Sequence, residues 1–140
     1  LTTIEKVIAL QDVDIFSQVS TEELGYLAAI AEETHLQGAV IYQARDPADS
    51  MYQVIEGRVR LHRGDLDINV AGAGEPFGTM ALFDDEVRVT AATVLDEARV
   101  LRVGKEDFID LLADNVEITQ GVLKALVGRV RGLIGTVGAH

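Results

Sequence analysis

Residues Gly72 to Ala92 read Gly-Ala-Gly-Glu-Pro-Phe-Gly-Thr-Met-Ala-Leu-Phe-Asp-Asp-Glu-Val-Arg-Val-Thr-Ala-Ala, and they hold the residue types best suited to chemistry in this chain. Glycine lets a backbone come close to a ligand. The run Phe77-Gly78-Thr79-Met80-Ala81-Leu82 can form one helical turn, whose leading N–H groups would point outward as an anion site. Arg88 follows as the cation able to clamp a phosphate-like group with two parallel hydrogen bonds. On the residues alone a second reading stays open, a corner between strands whose Arg pairs with Asp84, Asp85 or Glu86.

Other chemistry is thinly represented. His35, His62 and His140 have no metal-ligand spacing. Ser17, Ser20 and Ser50 lie outside any nucleophile elbow. The pairs Asp84-Asp85 and Asp96-Glu97 fall at expected turns, where solvated carboxylates are commoner than acid/base dyads. With no Cys there is no thiolate metal site, cysteine nucleophile or disulfide framework. The chain is read as non-enzymatic, with no metal and no cofactor beyond a ligand at the Arg88 segment.

Positioning that segment requires strands on both sides of it. From Thr34 to Val103 apolar residues recur with a period of two, and turn residues punctuate them as in a sandwich or barrel. The expected strands are Val40–Tyr42, Met51–Ile55, Val59–His62, Ile68–Val70, Thr90–Leu95 and Val100–Val103. Turns are expected at Gly38, Asp46-Pro47, Glu56-Gly57, Gly64-Asp65, Gly72 to Pro76 and Asp96-Glu97. In Arg58-Val59-Arg60-Leu61-His62 the alternation sends Val59 and Leu61 to one face and the three cations to a solvated one. Helical spacing brackets the strands. Thr3 to Phe16 predicts a short helix and a turn, Ser20 to Glu23 a capping box opening a helix from about Thr21 to Glu32, and Glu106 to Ala113 another helix.

The last helix, from Val116 onward, carries two stripes. Val116, Thr119, Leu123, Leu126, Val130, Leu133 and Val137 form a coiled-coil-like seam of the type that favours parallel pairs, while Gly121, Ala125, Gly128, Gly132 and Gly135 line the opposite side. Either the Val/Leu stripe covers the chain's own barrel, or it joins two copies into a homodimer.

The chain has 140 residues, 48% hydrophobic and 25% charged, a globular composition that predicts one domain. Within it, 1–33 are read as N-terminal helices, 34–104 as a β-barrel and 105–140 as C-terminal helices. Acidic residues outnumber basic ones 23 to 12, giving a net charge of -11. That field repels nucleic acid and anionic lipid, and no membrane-spanning stretch is expected. A start at Leu1 rather than Met predicts a piece of a longer polypeptide.

Several segments together resemble a known family: Gly38-Ala39-Val40-Ile41, Asp46 and Asp49, Tyr52 through Val59, Gly74-Glu75-Pro76-Phe77-Gly78, Ala81-Leu82, Arg88 and Asp107-Phe108. They are similar to the cyclic nucleotide-binding domains of catabolite-activator-type regulators, kinase regulatory subunits and gated channels. The resemblance covers essentially the whole chain, and Phe77-Gly78 through Arg88 matches the phosphate-binding cassette without a gap. It implies a mainly β fold, a jelly-roll barrel of roughly eight strands with N-terminal helices and C-terminal lid helices that often form a dimer seam. It also implies cAMP or cGMP as ligand, with Phe77, Gly78, Thr79, Met80, Ala81, Arg88, Val89 and Thr90 as ligand-binding residues.

The chain departs from that pattern at several positions. Thr79 stands where the family has a Glu that accepts the ribose 2′-hydroxyl. Losing that charge-assisted bond costs about 1.5–3 kcal/mol, roughly ten- to hundredfold in affinity. Val89 adds bulk beside the Arg, Asp84-Asp85-Glu86 opposes an anion, and Ala44-Arg45 replaces the usual Glu-Gly. The expectation is therefore a regulatory domain with a degenerate cassette, not a tight cAMP or cGMP binder, acting as an interaction module of a larger protein. The alternative is a working cyclic-nucleotide sensor using Arg88 and the Gly78–Met80 backbone. Leu1 to Val7 is similar to sensor domains appended to bacterial ATP/ADP-exchange-type transporters or to helical-repeat proteins; a cytoplasmic location is expected, in the first case as the cytoplasmic domain of a membrane protein. Transcription-factor relatives place a helix-turn-helix beyond the lid helix, past His140, so this stretch is not expected to bind DNA.

Overall fold

The computed structural model describes residues 1–138, with side chains as far as residue 135. His140 and the Val137 side chain lie outside the described residues. The order is α1 (Thr3–Gln11), a 3-10 turn (Asp14–Phe16), α2 (Thr21–Ile30), β1 (Glu32–Gln37), β2 (Val40–Tyr42), β3 (Ser50–Arg63), β4 (Leu66–Ala71) and β5 (Pro76–Phe77). A second 3-10 turn (Thr79–Leu82), β6 (Ala91–Gly104), α3 (Lys105–Asp114) and α4 (Val116–Gly138) complete it. At the entry to α2 the Ser20 hydroxyl accepts from the Glu23 N–H and donates to the Glu23 carboxylate, the cap its spacing predicts.

The strands form one antiparallel sheet in the order β1-β6-β3-β4, with β2 added to β6 and β5 to β3. The mainly β jelly-roll character with flanking helices is as expected, but two features are corrected. The sheet has 6 strands, and its order ends at β1 and β4, so it does not close into a barrel. The difference lies in β3 and β6, each of 14 residues, where the sequence predicts two shorter strands apiece. Glu56-Gly57 and Asp96-Glu97 do not reverse the chain. They face each other as register shifts in the β3–β6 ladder, so the paired strands bend together and continue. β1 went unpredicted because Glu32–Gln37 is a polar strand at the end of the order, held by its pairing with β6.

At the bend Gly57 takes φ +86, and a Cβ there would lie inside the van der Waals contact distance of the Glu97 carbonyl oxygen. Gly57→Ala is expected to cost about 2–4 kcal/mol in urea unfolding, combining left-handed strain with overpacking. A change under about 0.5 kcal/mol would mean the bend is loose.

Two cores flank the β3–β6 pair. Met51, Leu101 and Val103 join Leu10, Ile15, Phe16, Leu24, Leu27, Phe108 and Ile118 in a cluster with the helices. Tyr52, Val54, Val59, Phe77, Ala92, Val94 and Val100 form the other inside the roll. The 50–54 half of β3 is thus buried on both faces, which gives it an unbroken run of buried residues in place of alternation. Beyond the bend the predicted alternation returns. Val59 is buried, Arg58 is exposed, and Arg60 pairs with Asp67 across the β3–β4 hairpin.

The last helix reverses one reading of its stripes. In its first half the small-residue side meets the domain: Gly121 and Ala125 are buried, and a Cβ on Gly121 would lie 2.8 Å from the Gln18 carbonyl oxygen, whereas Gly128, Gly132 and Gly135 are exposed and Leu126 of the Val/Leu seam packs on the helical core. Val116, Leu123, Val130 and Leu133 of the Val/Leu seam are all more than half exposed, so that seam does not cover the chain's own sheet. Ile118 and Val122 anchor the first half of α4 in the helical core, and Arg129 pairs with Asp14 at 3.4 Å. Among the described residues no helix is long and apolar enough to cross a membrane, and no His/Cys/Asp/Glu group is arranged to hold a metal.

Candidate functional site

Between β5 and β6 the chain leaves the sheet, and the residues singled out by sequence come together there. Phe77 ends β5 opposite Tyr52 and is buried, its ring stacked on Tyr52 at 5.0 Å. Gly78 then turns the chain in the left-handed region, φ 71 and ψ 20, and Thr79–Leu82 make the single predicted turn. Glycine suits this position for the conformation, and a Cβ would lie 2.6 Å from Nη1 of Arg88 and displace it.

A cavity of about 500 Å³ opens beside this turn. Gly78, Thr79, Met80, Ala81, Arg88, Val89 and Thr90 line it, joined by Tyr42 from β2, Ala48, Leu61 from β3, and Asp84, Glu86 and Val87 of the acidic loop. Of the predicted residues Phe77 alone is not in the lining; it supports the floor as part of the Tyr42–Tyr52–Phe77 ring cluster. Val89 is 66% exposed at the rim, so its branched side chain leaves the interior open. α3 and α4 contribute no lining residue.

Arg88 is the unusual group. It is only 6% exposed, and its Nη2 donates to the Ser50 carbonyl oxygen at 2.7 Å. Its guanidinium lies 4.0 Å over the centre of the Tyr42 ring. Nε is buried without a hydrogen-bond partner. Among the described residues the carboxylate within ion-pair reach is Asp49, at 3.9 Å and itself well exposed. The expectation that Arg88 pairs with Asp84, Asp85 or Glu86 is not met. Asp85 pairs with Lys105 at the start of α3, whose Nζ also donates to the Asp84 carbonyl oxygen. This partner holds the Asp85 carboxyl below its ordinary range and offsets part of the acidic loop's field.

The backbone of Arg88 is fixed by the Arg45-Asp46 turn, through Arg45 N–H to Arg88 O and Arg88 N–H to Asp46 O, each 2.8 Å. Arg45 sits at φ 75, a left-handed position that suits the Gly this chain lacks there. Sequence reasoning missed Tyr42 and Ser50 as members of the site. Tyr42 reads as one residue of a short apolar strand, and Ser50 meets Arg88 mainly through its main-chain oxygen at 2.7 Å, its hydroxyl accepting at 3.5 Å, and a main-chain contact leaves no trace in residue type.

The sequence pattern described for the cyclic nucleotide-binding domain matches residues 32–115. A CRP-like cAMP-activated global transcriptional regulator of Mycobacterium tuberculosis is 27% identical over 100 residues, covering 68% of this chain and 45% of that protein. A cyclic nucleotide-gated potassium channel of Rhizobium etli is 32% identical over 95 residues, 68% of this chain and 26% of the channel. The match thus spans less than half the length of either relative. Among solved structures, the N-terminal domain of a transcriptional regulator from Streptomyces coelicolor A3(2) superposes with a TM-score of 0.84 at 30% identity, covering 89% of this chain and 94% of that one. With the family pattern lying over the sheet, the cassette turn and α3, this chain belongs to the cyclic nucleotide-binding domain family.

Proposed function

We propose that this chain is the regulatory module of a larger protein and that it takes a cyclic nucleotide weakly, through the phosphate and without a grip on the ribose. The observation that carries this is Arg88, a buried cation whose ion-pair partner among the described residues, Asp49, is exposed and at the 3.9 Å edge of reach. Burying a charge without a close partner is costly, and an anion beside it recovers that cost. The Gly78–Met80 turn and the hydroxyls of Thr79 and Thr90 add to the polar wall, Asp84 and Glu86 on the same wall oppose an anion and weaken its binding, and Leu61, Ala81 and Met80 offer apolar surface to the rest of the ligand. Thr79 supplies no charge where a ribose hydroxyl would need one, so affinity falls by roughly ten- to hundredfold against a site with a carboxylate there.

Relatives with different outputs, a transcriptional regulator and a channel, share this module, which supports a sensing role separable from the effector. Residues 1–33, 34–104 and 105–140 are proposed to act as one unit, with the exposed α4 seam joining two copies. Direct binding of nucleic acid is not proposed for a stretch of charge -11. A cytoplasmic setting fits a cyclic-nucleotide ligand. The transporter expectation rests on Leu1 to Val7, at the start of α1 and outside the cavity lining.

Calorimetric titration with cAMP and cGMP tests the reading. The expected dissociation constants are roughly 10–1,000 μM. Thr79→Glu is expected to tighten binding about tenfold or more. Nanomolar affinity in the parent protein would overturn the degenerate reading, and no binding by either protein would overturn the phosphate receptor. An unchanged affinity in Thr79→Glu would move the defect to the rim or the acidic loop.

A further inference from the structure

We infer that Tyr42 is a positioning residue for Arg88, its ring face holding the guanidinium at the cavity wall without cancelling the charge that an anion would meet. The inference rests on the reading of Arg88 as the anion receptor. The guanidinium carbon lies 4.0 Å from the Tyr42 ring centre, within cation–π range. A carboxylate doing the same task would bind a guanidinium edge and cancel its charge. An aromatic face takes the flat side instead and leaves the hydrogen-bonding edges open. Here one edge group is spent on Ser50, and Nε has no partner.

The fold goes out of its way to place this ring. Ile41 and Tyr42 are consecutive in β2, yet both pack against the core inside the roll, which regular alternation forbids. The β2–β6 register shifts between Val40 and Tyr42, and that irregularity turns Tyr42 inward beside Ile41. The ring is then fixed by contacts with Tyr52 and Phe77, each at 6.3 Å. Burial pushes the phenol pKa up, against the pull of Arg88, so the ring stays neutral at physiological pH.

The test compares the parent protein with Tyr42→Phe, Tyr42→Leu and Arg88→Ala, using cAMP calorimetry and the NMR signals of the arginine Nε–H groups without ligand. In the parent and in Tyr42→Phe, the Arg88 signal should be displaced by the ring current. In Tyr42→Leu it should return to an ordinary position, while the Arg99 and Arg102 signals stay in place and report an intact fold. Affinity for cAMP should stay within about threefold in Tyr42→Phe and fall about tenfold in Tyr42→Leu. An Arg88 signal unmoved by Tyr42→Leu overturns the inference, as does equal loss of affinity in the Phe and Leu variants, which would assign the effect to the hydroxyl. If the parent protein binds no cAMP, the ligand reading fails, and the Arg88 signal still decides the role of Tyr42. If Tyr42→Leu does not fold, the inference stands on a displaced Arg88 signal in Tyr42→Phe and falls if that signal is ordinary.

Discussion

Arg88→Ala is expected to reduce cAMP affinity at least a hundredfold while leaving thermal stability unchanged or slightly raised. The two halves have one cause. Arg88 is buried with one weakly placed, exposed carboxylate at 3.9 Å among the described residues, so the folded protein already bears part of the cost of desolvating it. Removing the guanidinium removes that cost along with the Ser50 hydrogen bond and the Tyr42 contact. For the ligand nothing compensates. Two charge-assisted bonds to a phosphate are worth about 3–6 kcal/mol together, more than two decades in affinity. Arg88→Lys should fall between, retaining the charge but not the planar fork. Calorimetry and thermal unfolding on the same samples check this. Retained binding with a Tm several degrees lower would make Arg88 a structural strut.

Leu123→Asp combined with Val130→Asp is expected to convert the protein from dimer to monomer in light scattering, with the fold kept by circular dichroism. Both side chains lie on the exposed seam, 54% and 55% accessible, so charges there meet water in a monomer and each other in a dimer. Burying an apolar side chain of this size is worth about 1.5–3 kcal/mol at most, and the seam offers Val116 and Leu133 besides, with Val127 and Ile134 exposed alongside it. Deleting everything after Asn115 is a poorer test. It would strip Ile118 and Val122 out of the helical core and could unfold the domain for reasons unrelated to pairing. A parent protein that is already monomeric at high concentration would overturn the seam.

The fold was legible wherever local chemistry acts locally. Ser20 and Glu23 announced α2 because a cap is made within one turn, and Val40–Tyr42 and the Gly64-Asp65 turn were readable for the same reason. Gly57 and Asp96 misled because turn residues allow a positive φ whether the chain reverses or merely bends. What decides is the partner strand, and each finds the other's bend directly across the ladder. The site divides likewise. Gly78 and Arg88 were visible by type and spacing, whereas Arg88's real partners are a ring on β2 and a main-chain oxygen on β3. The last helix left two readings open because a Val/Leu stripe and a Gly/Ala stripe can both pack, and the close approach of Gly121 to Gln18 shows which side packs in its first half.

The two-faced stretch of β3 has a mechanical meaning. Side chains of Met51 and Gln53 reach the helical side, Gln53 donating to the Ala9 carbonyl oxygen of α1, while Tyr52 and Val54 face the ring cluster under the cavity. One pleat of backbone is the whole partition between them. Neither half can melt alone, so the amides of this stretch should exchange with solvent only when the entire domain opens.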